Sequence, residues 1–289
     1  MEASARIEIC LERAVEAASN KPCPPRLAKA VHYSVFPGGA RVRPQLSVSV
    51  AAACGDPESA VAEHAGAAIE LLHCASLVHD DLPCFDDADI RRGRQSVHAL
   101  YGEPLAVLVG DALIVEAFNT LQRGCEKDLT KLGPLVSCIA GAVGMPGGIV
   151  AGQAWESESK IDVHQYHRAK TGSLFVGAVA AGAIAVGEDP QPWCPLGQFI
   201  GEAYQLADDL FDAAGSVEES GKPVLQDVNN DRPNAVKQYG IDGAMKRLKQ
   251  TVGNAVDAIP DCQGGDELRA LILAQATRLV PSKLAKSAA

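Results

Sequence analysis

From Val61 to Asp80, small or apolar side chains return every three or four residues: Val61, Ala65, Ala68, Ile69, Leu72 and Ser76 fall on one stripe. That period belongs to a helix, and no run of strict alternation elsewhere in the chain competes with it. Asp56-Pro57-Glu58 introduces the run with a capping acid, a proline at the first position and an acid in the first turn, which predicts a helix starting there. It ends at a pair of aspartates. Further helices are predicted through Ile7, Leu11, Val15 and Ala18, over 26–36 ahead of Pro37-Gly38-Gly39, and over 104–123, 131–144, 163–187, 194–214 and 240–258. An all-α fold is expected. No low-complexity linker or shift in composition interrupts the 289 residues, so one domain over 1–289 is expected.

Composition narrows the function. Only 4% of residues are aromatic, and an apolar content of 47% rests on Ala, Leu and Val, which suits closely packed helices. Basic residues number 26 against 36 acidic ones, and the resulting charge of −10 argues against wholesale nucleic-acid binding. Nine scattered cysteines with no CxxC pair read as reduced thiols of a cytoplasmic protein. The first twenty residues carry acids and no apolar core of signal-peptide type. The most apolar stretch, Leu174 to Val186, is too short to span a bilayer, so no transmembrane segment is expected.

Charge placement is the main clue. His79-Asp80-Asp81-Leu82-Pro83-Cys84-Phe85-Asp86-Asp87-Ala88-Asp89 packs five carboxylates into ten residues, which costs energy unless water or cations neutralise them. A solvated loop is the plain alternative, but these acids directly follow an apolar helix and are interleaved with Leu82, Pro83 and Phe85. Hard oxygen donors without clustered histidines suit Mg²⁺, which is commonly shared with substrate phosphates. A second set, Gln205, Asp208, Asp209 and Asp212, sits at i, i+3, i+4 and i+7 on one predicted helix. Such a face is usually just solvated, yet this one has only short acids with apolar neighbours. Opposing helices carrying the two sets are expected to hold metal across one cavity.

The basic residues are compact as well. Gly38-Gly39-Ala40-Arg41-Val42-Arg43-Pro44 and Arg91-Arg92-Gly93-Arg94 are arginine clusters in an acidic chain, and the second follows the acidic run at once. Surface ion pairing is the modest alternative. An arginine fork matches phosphate oxygens, so carboxylate–Mg²⁺ beside arginine makes a diphosphate clamp. Lys170-Thr171-Gly172 lies in an apolar helix, where a lone lysine more often snorkels than binds a ligand.

In this order, GGARVRP at 38–44, DDLPCFD at 80–86, RRG at 91–93, KT at 170–171, QLADDLFD at 205–212 and GK at 221–222 resemble the trans-isoprenyl diphosphate synthases over about 30 to 240. GGARVRP and the RPNAV at 232–236 are similar to the phrasing of geranylgeranyl diphosphate synthases from bacterial carotenoid pathways. The resemblance implies a helical bundle around a central cavity and a Mg²⁺-dependent prenyltransferase. That enzyme would condense isopentenyl diphosphate with dimethylallyl, geranyl or farnesyl diphosphate to give geranylgeranyl diphosphate. Asp80, Asp81 and Asp86, with Asp208, Asp209 and Asp212, would hold metal, about three ions with substrate bound. Arg91, Lys170 and Lys222 would bind the allylic diphosphate. Arg43, His73 and Arg92 would bind that of isopentenyl diphosphate, with Arg41 and Arg232 also among the substrate-binding residues. Gln205 and Thr171 would face the reacting carbons.

Product length is expected from helix pitch, since one turn rises about 5.4 Å, comparable to one isoprene unit. Ala75 and Ser76 are small one turn before Asp80, where farnesyl makers of the family carry a bulky aromatic; Leu72, Ile114 and Phe118 are candidate floors. A C20 product is expected. Three positions depart from the family pattern: Ala40 and Arg232 stand where lysine is usual, and Leu225 where glycine is usual. The resemblance also implies a homodimer. Alternatives are a farnesyl diphosphate synthase, a terpene cyclase of the same fold, or a non-catalytic partner subunit.

Overall fold

The computed structural model of the chain describes residues 2–214 and 234–280. Its helices run in order as α1 (Ala3–Ser19), α2 (Pro25–Val35), α3 (Val42–Ala53), α4 (Ala60–Asp80), α5 (Val97–Tyr101) and α6 (Glu103–Gly124). They continue as α7 (Leu132–Val143), α8 (Ile149–Ala154), α9 (Val163–His167) and α10 (Ser173–Val186). The last are α11 (Cys194–Ala214), α12 (Ala235–Asp257) and α13 (Gly265–Ala276). Among the described residues the only sheet is a two-stranded hairpin, β1 (Ile90–Arg91) with β2 (Arg94–Gln95). The fold is all-α. The chain divides into two compact units, one of residues up to Ala140 with Gly177–Pro190, the other of Gly141–Val176 with the chain from Gln191 onward.

The first unit is built on α4. Its start falls at Ser59 rather than Asp56: the Ser59 hydroxyl accepts from the Ala62 amide at 3.4 Å, while Asp56 instead accepts from the Glu58 amide in a turn of its own. Alanines at 62, 65, 67, 68 and 75 are buried and let α1, α2, α3 and α6 approach closely. α6 runs antiparallel to α4. A methyl at Gly110 would strike the His79 ring and one at Gly124 would strike His64, so the two helices touch at both ends. The sequence pattern did not predict α3, because Pro44 stands inside it. Pro44 lies in the first turn, where a missing N–H costs no helical bond, and buried Ser47 ties α3 to the Ala62 carbonyl of α4.

The second unit packs α11 on α12, with Ala203, Leu206, Ala207 and Leu210 meeting Ala244, Leu248 and Leu279. α12 kinks at Gly240, whose φ of 69° places it in the left-handed region, and the helix predicted from 240 is its downstream part. α9 and α10 are joined by a π-helical turn, Arg168–Gly172. Together they form one helix of 24 residues, Val163–Val186, so the length of its apolar stretch does not by itself exclude a membrane span. Glu103–Gly124 is likewise long and apolar enough. Of the most apolar 18 residues in Val163–Val186, 72% are buried within the fold, as befits a core helix.

Candidate active site

The first acidic motif begins on the last turn of α4 and turns back on itself. The Asp86 amide donates to the Asp80 carbonyl at 3.0 Å, and those of Asp87 and Ala88 donate to Leu82 and Asp81 at 3.1 Å. These bonds pin a loop that carboxylate repulsion alone would open. Arg91, on β1, reaches back: its Nε donates to Asp81 Oδ1 at 2.9 Å, and Nη2 lies 3.5 Å from Asp80 Oδ2. Asp81 is only 3% exposed, and burial pushes its carboxyl above the usual range against the pull of Arg91. Asp80 and Asp86 are half-buried; Asp87 and Asp89 face solvent.

The hairpin supplies the neighbouring cations. Arg92 and Gly93 form its two-residue turn with φ of 53° and 72°, the sign a tight hairpin requires at both positions. Arg92 adopts that conformation without being glycine, and its Nη1 donates to the Gly38 carbonyl at 2.8 Å. A Cβ on Gly39 would come within 2.8 Å of the same Nη1, so the loop before α3 is glycine where the guanidinium crosses it. His73 lies two turns up α4. Its Nδ1 is buried with no hydrogen-bond partner, and burial with the fields of Arg43, Arg92, Arg91 and Arg41 holds the imidazole well below 6.5. His73 is therefore neutral near pH 7. The unit brings His73, Arg43, Arg91 and Arg92 into one positive field beside Asp80 and Asp81.

Arg41, expected beside Arg43 among the substrate-binding residues, points inward. It is 5% exposed; its guanidinium donates to Glu8 at 2.8 Å, to Glu70 at 3.0 Å and to the Val35 carbonyl at 2.7 Å. Its φ of 46° turns the chain into α3. The motifs did not single out Glu70; the signal available was a single acid in the apolar run Ala67–Leu72, which needs a buried cation. Of the chain-length candidates, Leu72 and Ala75 are buried on α4, Ser76 is half-buried with its hydroxyl on the His73 carbonyl, and Ile114 and Phe118 are half-buried on α6.

In the second unit the π turn carries Lys170 and Thr171. The Thr171 hydroxyl donates to Gln205 Oε1 at 2.8 Å, and Gln205 Nε2 donates to Asp209 Oδ1 at 3.0 Å. Asp209 Oδ2 accepts from the Ala235 amide at 2.7 Å, capping the first turn of α12. The face expected to present three carboxylates together is thus divided. Asp209 is 1% exposed and Asp212 buried, while Asp208 faces solvent. Lys170 does not simply snorkel; its ammonium meets Glu156, which the motifs did not single out. Lys222, Leu225 and Arg232 lie outside the described residues.

Among the described residues no three His, Cys, Asp or Glu side chains close into a ready-made metal cage. Asp81 and Asp209, expected as ligands, have oxygens engaged by Arg91, Gln205 and Ala235. Magnesium shared with a diphosphate needs only one or two carboxylates and keeps its waters, so Asp80, Asp86 and Asp208 fit it.

An all-helical chain with aspartate motifs on α4 and α11 defines a helical prenyl synthase. The chain belongs to the polyprenyl synthetase family, whose family model matches residues 24–271. It is 51% identical over 280 residues to a geranylgeranyl diphosphate synthase of Cereibacter sphaeroides, covering 97% of each chain. It is 50% identical over 275 residues to that of Rhodobacter capsulatus, covering 95% of each. A solved geranyltransferase of Helicobacter pylori, complexed with magnesium and isoprenyl diphosphate, superposes with a TM-score of 0.79 at 26% identity, over 95% of this chain and 97% of that one.

Proposed function

We propose that this polyprenyl synthetase is a geranylgeranyl diphosphate synthase, condensing isopentenyl diphosphate with dimethylallyl, geranyl or farnesyl diphosphate. The observation that carries this is the first unit's juxtaposition of Asp80 and Asp81 with His73, Arg43, Arg91 and Arg92, a clamp for diphosphate oxygens. The geranylgeranyl relatives at about half identity favour the C20 product.

Asp80, Asp86 and Asp208 are the residues that would hold magnesium, with Asp81, Asp209 and Asp212 beside them as support. When bound, magnesium neutralises charge on the leaving diphosphate. Arg91 and Lys170 grip the allylic diphosphate, joined by Lys222. Arg43, Arg92 and neutral His73 grip that of isopentenyl diphosphate, and Arg232 adds charge. As the allylic carbon–oxygen bond breaks, these cations stabilise the departing diphosphate. The isopentenyl double bond attacks the allylic carbon, and the proton then lost goes to the departed diphosphate. Gln205 and Thr171, locked together, offer fixed dipoles to the allylic cation. Small Ala75 and Ser76 leave room for growth to C20. The chain acts as one catalytic domain, working as a homodimer in the cytoplasm.

The test is to incubate the purified protein with Mg²⁺, isopentenyl diphosphate and each of the C5, C10 and C15 allylic diphosphates. A C20 diphosphate from all three is expected. Hydrocarbon, cyclic products or no elongation would overturn the assignment. Ala75→Tyr should move the product towards C15, and an unchanged C20 profile would remove Ala75 from the pocket.

A further inference from the structure

We infer that Glu156 is a positioning residue for Lys170: it holds the lysine ammonium where the allylic diphosphate will lie. The inference rests on the role proposed for Lys170. Glu156 sits in the short turn Trp155–Ser157 that follows α8. One of its oxygens, Oε1, accepts from the Tyr166 hydroxyl at 2.7 Å and from Lys170 Nζ. The other accepts from Gln153 Nε2 at 3.0 Å. The carboxylate is itself oriented by two neutral donors before the lysine reaches it. The lysine ammonium also lies 5.9 Å from the centre of the Tyr166 ring, so one tyrosine touches both members of the pair.

The backbone of Lys170 is fixed from the same direction. A Cβ on Gly152 of α8 would come within 2.3 Å of the Lys170 nitrogen and 2.4 Å of its Cα, so only glycine lets α8 lie against the π turn. Gln153, next in the chain, supports the carboxylate. α8 and the turn after it thereby set both ends of one side chain. An extra residue in a helix is costly and recurs at functional sites.

Stability does not account for the arrangement. The side chains of Lys170 and Glu156 are only 20% and 17% exposed, and for a pair so largely buried the cost of desolvating both charges offsets much of their attraction, so the net stability is small. Positioning accounts for it. Lysine is a point charge on a long flexible stem, and a charge held in place beforehand binds a diphosphate without ordering cost at that moment. Thr171, the next residue, is fixed in the same way by Gln205. Consecutive residues of the π turn are thus held by different acceptors from different elements.

The experiment is a double-mutant cycle of Glu156→Gln and Lys170→Ala, with KM measured for the allylic diphosphate and, separately, for isopentenyl diphosphate. Glu156→Gln keeps the volume and one acceptor oxygen for the Tyr166 hydroxyl, removes the charge, and turns the oxygen that meets Gln153 into an amide donor that the Gln153 carboxamide can meet by flipping. It is expected to raise the allylic KM about tenfold while leaving the isopentenyl KM within about twofold. In the Lys170→Ala background the same change should have no further effect, because its only route is through the lysine. Undiminished loss in that background, or equal shifts in both KM values, would mark Glu156 as merely structural and overturn the inference. So would an unchanged allylic KM in Glu156→Gln alongside a raised one in Lys170→Ala. If Lys170→Ala itself leaves the allylic KM unchanged, the proposed role of the lysine is what fails, and Glu156 falls with it. Should Glu156→Gln fold poorly, Tyr166→Phe replaces it in the cycle. It removes one donor to Glu156 and should show the same coupling at smaller size.

Discussion

The two acidic motifs look alike as strings of letters and are supported by different physics. In the first, five carboxylates lie at a helix end, and a chain reversal with one arginine keeps them together. In the second, helical spacing separates the acids, and a neutral amide and a backbone N–H hold the inner one. Each motif sets a buried aspartate beside a more accessible neighbour, Asp81 at 3% exposure beside Asp80 and Asp209 at 1% beside Asp208, and the second motif buries Asp212 as well. A crowded set needs a cation built into the protein. In the spaced one, the Gln205 amide and the Ala235 N–H meet Asp209. The buried member in both cases orients the segment, and the accessible member is left to meet metal and substrate.

The sharpest way to break this division is to compare both members of each pair. Asp80→Ala and Asp208→Ala should lower turnover on the order of 10³-fold, with little change in melting temperature, read by product formation and thermal denaturation. Asp209→Ala should act first on stability, by about 1–3 kcal/mol, since it strands the Ala235 amide and the Gln205 side chain. Urea denaturation reads that loss. Full stability in Asp209→Ala with lost turnover would place Asp209 among the metal ligands and end the distinction.

The arginines of the first region divide in the same way. Arg41→Ala leaves Glu70 buried without its cation, and a loss of about 3 kcal/mol is expected by urea denaturation. Arg43→Ala should instead raise the KM for isopentenyl diphosphate with the midpoint held. Similar behaviour of the two variants would show that the inward turn of Arg41 does not separate their roles.

Much of this was legible beforehand, and the gaps have common causes. α4, α6 and α11 are long and periodic, so their apolar stripes announce them, and α10 is announced by a continuous apolar run. α3 was hidden by Pro44 and the glycines before it, which read as breakers although proline in a first turn is harmless. The start of α4 was placed at Asp56 because its motif satisfies every local preference for a cap; Ser59 three residues on does so too, and it takes the amide. The acidic and basic clusters were visible because like charges so close require a reason. Which oxygen is occupied was not visible, because the partners are distant in sequence: Glu70 for Arg41, Ala235 for Asp209 and Glu156 for Lys170. Local pattern locates a functional segment, and only packing decides which of its atoms remain available.

The regions also differ in pH response, for the first contains His73. Burial and four nearby arginines depress its folded pKa below the unfolded value of 6.5. The unfolded chain therefore binds more protons as pH falls. The stability contributed by neutral His73 is complete above about pH 6.5 and is lost as pH drops from there towards the folded pKa. His73→Gln removes the titration and should flatten the decline in melting temperature between about pH 7 and 5. Parallel profiles for the two proteins would mean that other groups set the acid sensitivity.

The smallest expected effect comes from restoring a cation to the loop before α3. Ala40 is exposed, and its carbonyl accepts from Gln45 Nε2 at 2.9 Å, so the backbone there is already anchored whatever the side chain. Arg41 cannot supply the missing charge, because Glu8, Glu70 and the Val35 carbonyl engage its guanidinium. Only Arg43, Arg92 and neutral His73 remain for that diphosphate in the described part of the first region. Ala40→Lys should therefore lower the KM for isopentenyl diphosphate about two- to fivefold, the scale of one solvent-exposed charge. The gain should shrink as salt rises, since screening weakens an exposed interaction first. An unchanged KM at low salt would mean that Arg43 and Arg92 already saturate the diphosphate.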